Sequence, residues 1–229
     1  MIFGSVLAAG QGSRMRSYRT PKQFIEICGR PIVAYTLERL LAAECFDCII
    51  VAAHPDYVGY LSGLCADIAK SHELSSDLFQ VMSGGGTRIE SIECVIRKLR
   101  ECGGADDDIV LIHDAVRPFV STTVLHGCIG GARECGASIA AIPASDTMLV
   151  SLDGRFLHDV PDRHTILHGQ APDAFRVKVI GVALAALTAE ERSYITGTSQ
   201  ICFAKGYKVR VVPGDERNFK ITTQADLER

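Results

Sequence analysis

An α/β fold, with a mostly parallel sheet covered by helices on both faces and a projecting β-hairpin arm, is predicted by three features of the sequence. Short runs rich in β-branched residues alternate with longer segments of helical period. The strand-like runs are apolar throughout, as strands buried on both faces must be. One segment, about 146–161, breaks the rhythm with two strand-like runs around Asp153-Gly154. In order, strands are expected at 2–8, 48–53, 79–83, 109–113 and 138–143. Helices are expected between them, at 31–43, 56–70, 87–101 and 121–135. Such alternation implies a Rossmann-like sheet, whose ligands bind beyond the carboxyl ends of the strands. The arm pairs 147–152 with 155–160. An isolated hairpin is barely stable, so it reads as a dimerisation device or as an edge hairpin of its own subunit. Residues 223–229 read as the first turns of a helix capped by Thr222 or Thr223, which leaves room for a continuation beyond residue 229. No internal repeat or linker divides the chain, and a single domain over 1–229 is expected.

The 229 residues suffice for one substantial core, and 47% hydrophobic with 22% charged residues is ordinary for a globular protein. No apolar run approaches the roughly 18 residues of a membrane span. The start, Met1-Ile2-Phe3-Gly4, has no basic region of a signal peptide and reads as a strand. A net charge of −3 gives no broad basic field, which argues against nucleic acid as a partner. Nine scattered cysteines, with one close pair at Cys45 and Cys48, lack the second pair or spaced histidines of a zinc site. They read as packed thiols in a reducing cytoplasm, with a redox pair as the alternative.

The strongest chemical signal follows the first strand: Leu7-Ala8-Ala9-Gly10-Gln11-Gly12-Ser13-Arg14-Met15, then Pro21-Lys22. Small residues and two glycines let backbone N–H groups approach an anion or a base. Arg14 and Lys22 add positive charge where phosphate oxygens would sit. A dinucleotide fingerprint would need a third glycine at Met15, and a Walker loop would need Gly-Lys-Ser/Thr; neither is present. Asp114 ends the strand 109–113, where a carboxylate suits Mg²⁺ and phosphate partners or, alternatively, caps the next turn. His113 reads as packed structure. Arg117 reads as a substrate-site cation, or as the partner of a nearby carboxylate.

The pattern Leu-Ala-Ala-Gly-x-Gly-x-Arg-Met with Pro-Lys resembles the signature of sugar-phosphate nucleotidyltransferases. Further segments resemble the cytidylyltransferases acting on D-ribitol 5-phosphate or 2-C-methyl-D-erythritol 4-phosphate. These are Gly84-Gly85-Gly86-Thr87-Arg88-Ile89-Glu90-Ser91, His113-Asp114-Ala115-Val116-Arg117-Pro118, Asp146-Thr147, Gly169-Gln170-Ala171-Pro172 and Asn218-Phe219-Lys220-Ile221-Thr222. The resemblance implies transfer of a cytidylyl group from CTP, with Mg²⁺, to a polyol phosphate by a homodimer joined through the arm. It implies that Arg14, Lys22 and Lys220 act on the phosphates. Leu7, Ala8, Ala9, Gly10 and Gly12 would hold the nucleotide, while Gly85, Gly86, Arg88 and Ser91 would read cytosine and ribose. Arg117, Thr147, Arg163 and Thr196 would bind the acceptor, with Arg163 reaching across the dimer. Segments 160–170 and 187–196 favour D-ribitol 5-phosphate, with the methylerythritol phosphate as the alternative. Departures stand at Ala171, Gly197 and Thr87, where the family usually has threonine, aspartate and an acidic residue. They leave room for a nucleotide-binding regulatory domain without turnover.

Overall fold

The computed structural model of the chain describes residues 1–10 and 20–229. Strand β1 (Ile2–Ala8) is followed by a small antiparallel pair, β2 (Glu26–Ile27) and β3 (Arg30–Pro31), and by helix α1 (Ile32–Leu41). Three strand–helix units come next. They are β4 (Cys48–Ala53) with α2 (Val58–Ser71), β5 (Phe79–Ser83) with α3 (Arg88–Glu101), and β6 (Ile109–Asp114) with α4 (Thr122–Cys135). The chain then forms β7 (Ala137–Pro143), β8 (Leu167–Arg176), α5 (Val177–Ala185), α6 (Ala189–Tyr194), α7 (Thr198–Ala204), β9 (Arg210–Pro213) and α8 (Gln224–Glu228).

The seven-stranded sheet runs β5-β4-β1-β6-β8-β7-β9. Its strands β5, β4, β1 and β6 are parallel, and β8 runs against both of its neighbours. The apolar runs explain the layering. All six residues of β4 are buried, and alternate side chains leave opposite faces of a strand. Cys48, Ile50 and Ala52 share one core with Ile92, Val95 and Leu99 of α3 and Ile180 and Leu184 of α5. Ile49, Val51 and Ala53 meet Val33, Leu37 and Leu40 of α1 and Leu61 and Ile68 of α2. A third cluster seats Leu125 and Ile129 of α4 on Leu111, Ala140 and Ala174 of β6, β7 and β8. Removing such surface from water is worth about 1.5–3 kcal/mol per large side chain. Among the described residues no helix is long and apolar enough to cross a membrane.

The five expected strands and four expected helices form close to their expected limits. Strand β8 is an addition to them, because Gly169, Pro172 and Asp173 give it the composition of a turn. It accommodates Pro172 by a register shift. Ile139 faces Asp173 but Ala140 faces Gln170, so Ala171 and Pro172 bulge out of the ladder. The projecting segment between β7 and β8 turns at Asp153-Gly154, where Oδ1 of Asp153 accepts the backbone N–H groups of Arg155 and Phe156. Its flanks are not the continuous strands expected at 147–152 and 155–160; an isolated antiparallel bridge joins Val150 to Asp159. Leu152, Phe156 and Leu157 are 79%, 76% and 64% exposed, so the arm has no second layer of its own to bury them. Helix α8 starts with a capping box between Thr223 and Asp226. The nine cysteines are free; burial pushes the thiols of Cys48, Cys65, Cys128 and Cys202 up to about 12.

Candidate active site

The strand order turns at β1, which has β4 on one side and β6 on the other, and such a switch point opens a crevice at the carboxyl edge. Register places Leu7 beside Asp114 there. A cavity of about 320 Å³ occupies the crevice. Residues 7–10, Lys22 and Gln23 form one wall. Gly86, Thr87, Arg88 and Ser91 at the start of α3 form another, and Asp114, Ala115, Val116 and Lys220 close it. Gly12 and Arg14 lie outside the described residues.

The turn after β1 is braced by a residue that sequence reasoning missed. The buried Gln23 amide donates to the carbonyls of Ala8 and Gly10, both at 2.8 Å. Its only sequence signal was its place next to Lys22. The ammonium of Lys22 donates to the carbonyl of Ile221 at 3.2 Å, tying this turn to the segment that carries Lys220.

The glycine loop before α3 is shaped by close approach. A Cβ on Gly84 would stand 2.8 Å from Cβ of Ala9, and one on Gly85 would stand 2.2 Å from Cβ of Glu90. The hydroxyl of Ser91 accepts the Gly85 N–H at 3.1 Å and donates to the Thr87 carbonyl at 2.9 Å. Thr87, one of the departures, caps α3 through a box with Glu90, so a hydroxyl serves the helix end there. Gly85 thus supports the loop, whereas Gly86 lines the cavity.

Asp114 is the hub of the cations. Its Oδ1 accepts from Arg88 at 2.9 Å, and its Oδ2 lies 3.3 Å from Nε of Arg117 and 3.0 Å from Nζ of Lys220. Burial by itself would raise the Asp114 pKa, but Arg88, Lys220 and Arg117 together hold it well below the usual carboxylate range. Three cations on one carboxylate leave an excess of positive charge facing the cavity, which suits a polyanion. Arg117 is buried, does not line the cavity, and donates to the Asn218 carbonyl at 2.7 Å, which secures the Lys220 segment from beneath. His113 is fully buried; burial pushes its pKa down to about 4, so the ring facing the Arg117 carbonyl is neutral at pH 7.

The other expected acceptor residues are not gathered here. Thr147, Arg163 and Thr196 are exposed and do not line the cavity; Arg163 opens a short turn capped by Asp162 at the base of the arm. Asp215, near the penultimate segment, is engaged by Arg217 at 2.8 Å.

The family model for IspD, 2-C-methyl-D-erythritol 4-phosphate cytidylyltransferase, matches residues 2–229. Among solved structures, 4-diphosphocytidyl-2C-methyl-D-erythritol synthase from Anaerococcus prevotii DSM 20548 is similar at 27% identity and a TM-score of 0.79. That match covers 100% of this chain and 95% of the other. The Francisella tularensis 2-C-methyl-D-erythritol 4-phosphate cytidylyltransferase is similar at 25% identity and a TM-score of 0.79, over 99% of this chain and 96% of the other. The Thermus thermophilus enzyme of that name, at 24% identity and a TM-score of 0.72 over 100% and 96%, shares the fold. A cavity ringed by cations at the switch point and a family match over nearly the full length agree: the chain belongs to the 2-C-methyl-D-erythritol 4-phosphate cytidylyltransferase (IspD) family and is a nucleotidyltransferase.

Proposed function

We propose that the protein transfers a cytidylyl group from CTP to 2-C-methyl-D-erythritol 4-phosphate and releases pyrophosphate. The family match over residues 2–229 carries this reading, and the two neighbours at 25% identity or above bear names of the same chemistry. The preference for D-ribitol 5-phosphate, drawn from segments 160–170 and 187–196, gains no support from these comparisons.

The chemistry suits the cavity. An acceptor phosphate oxygen attacks the α-phosphorus of CTP, a new P–O bond forms, and the bond to the bridging oxygen of pyrophosphate breaks. A phosphate monoester is largely ionised near pH 7, so the attacking group needs no base; the barrier lies in gathering anions and stabilising charge. Lys22 and Lys220 line the cavity and would serve this purpose, joined in the proposal by Arg14. Residues 7–10 would hold the nucleotide through the backbone, and the loop at Gly85, Gly86, Arg88 and Ser91 would receive the base and ribose.

Mg²⁺ accompanies the triphosphate in this proposal, and the residues fit it. Asp114 is ionised, stands at a strand end, and is the carboxylate among the described residues lining the cavity. One or two carboxylates with phosphate oxygens are the ordinary complement of such an ion. When bound, it would neutralise charge on the phosphate oxygens.

The exposed apolar arm supports a homodimer, in which Thr147, Arg163 and Thr196 would complete the acceptor pocket of the partner subunit. The test is pyrophosphate release with CTP against both named polyol phosphates. Turnover with the methylerythritol phosphate is expected; turnover with ribitol phosphate alone would overturn the acceptor, and turnover with neither would overturn the reaction.

A further inference from the structure

Behind the cavity wall lies a buried hydroxyl that the chemistry above does not use, that of Thr198. Arg88 reaches Asp114 with one nitrogen. The other edge of its guanidinium, Nε and Nη2, donates to the hydroxyl of Thr198 at 3.3 and 3.1 Å. Thr198 is the first residue of α7, is fully buried, and does not line the cavity. A hydroxyl that accepts two N–H groups still has its own proton to give. The buried carboxyl of Asp173, on β8, feels that hydroxyl. Burial pushes that acid up to about 7, while Arg88 and the hydroxyls of Ser199 and Thr198 favour its charged form. Its Oδ1 has no hydrogen-bond partner among the described residues.

We infer that Thr198 is a positioning residue that fixes the guanidinium of Arg88, so that Asp114 and through it Lys220 are oriented before the substrates meet. The inference rests on reading the cavity as the CTP site. A planar guanidinium held at one edge can swing; held at two edges it cannot, and the carboxylate it grips inherits that order. Order of this kind acts on the transition state more than on ground-state binding. Thr198 touches neither the cavity nor the turn at residues 7–10, so its loss acts only through Arg88 and falls on kcat through Asp114 and Lys220.

The test compares Thr198→Val, which keeps the shape and loses the hydroxyl, with Thr198→Ser, which keeps the hydroxyl. Thr198→Val lowers kcat for pyrophosphate release about tenfold, the scale of one hydrogen bond to a charged group. Thr198→Ser is expected to restore turnover, and Thr198→Val to add nothing in an Arg88→Ala background. The Arg88 Nε–H resonance, assigned by its loss in Arg88→Lys, is expected to be sharp in the wild type and exchange-broadened in Thr198→Val. Unchanged kcat in Thr198→Val, Thr198→Ser as impaired as Thr198→Val, or a full effect persisting without Arg88 would each overturn the inference. Thr198→Ala takes the place of Thr198→Val if the latter does not fold. A wild-type chain without turnover on either acceptor would sink the cytidylyl reading instead, and the Arg88 resonance would still decide the tether.

Discussion

Two lysines from opposite ends of the chain meet at one cavity, and their partners separate their roles. Lys22 donates to a backbone carbonyl of the segment carrying Lys220, whereas Lys220 faces the carboxylate of Asp114. If Lys22 acts on charge developing during transfer, Lys22→Ala lowers kcat by roughly 10²-fold, as losing a preorganised donor does elsewhere. Pyrophosphate-release kinetics check this, and near-normal kcat would remove Lys22 from the mechanism. Two buried acids, Asp114 in the cavity wall and Asp173 on β8, should respond to pH in opposite directions. Asp114, held low, contributes stability that is present above about pH 4 and is lost as pH falls toward its folded pKa. Asp173 is raised from 3.8 to about 7, so across that window the folded chain keeps a proton the unfolded chain has lost. Its contribution therefore falls as pH rises through the window and is flat above it. Asp173→Asn removes the titration, and its melting temperature relative to wild type should climb from about pH 4 to about pH 7. A difference independent of pH would show that Asp173 titrates normally.

Among the elements, the loop into α3 is the tightest fit. A methyl at Gly85 would collide with Cβ of Glu90 at 2.2 Å, so Gly85→Ala must displace either the loop or the helix cap. The expected cost is about 1–3 kcal/mol in a denaturation curve, with a raised KM for CTP. Gly63, exposed within α2 and with nothing near its absent Cβ, is the contrast. Gly63→Ala should gain about 0.5–1 kcal/mol, since alanine restricts the unfolded chain and suits a helix. Equal effects at the two sites would refute the close-approach account. The Gly84-Gly85-Gly86 run was visible in the sequence; which of its members lines the cavity was not, because that depends on where Ala9 and Glu90 arrive.

Across the full chain, the arm projects apolar side chains that nothing among the described residues covers. If Arg163 serves the partner's pocket, inactive Lys22→Ala and inactive Arg163→Ala chains, mixed and exchanged, should recover about a quarter of wild-type turnover, since half the dimers would be mixed and each would hold one intact site. No recovery after exchange verified by mass would mean that each subunit carries its own complete site.

The linear sequence was enough for the strands buried on both faces, their helices, the turn at residues 7–10, and most of the residues lining the cavity. Those features follow from local rules: period, β-branching, glycine and charge within a few positions. It could not reveal that β8 enters the sheet antiparallel, because its Gly and Pro speak for a turn until the gap between β6 and β7 demands a strand. Nor could it reveal Gln23 as the brace of the turn, Arg117 as a support beneath Asp114, or Thr198 as the second anchor of Arg88. Each of the last two roles is set by a partner far along the chain: Thr198 is 110 residues from Arg88, and Asn218 is 101 from Arg117. A hydrogen bond across that span leaves no periodicity behind, and it exists only once the sheet has brought both ends to one edge.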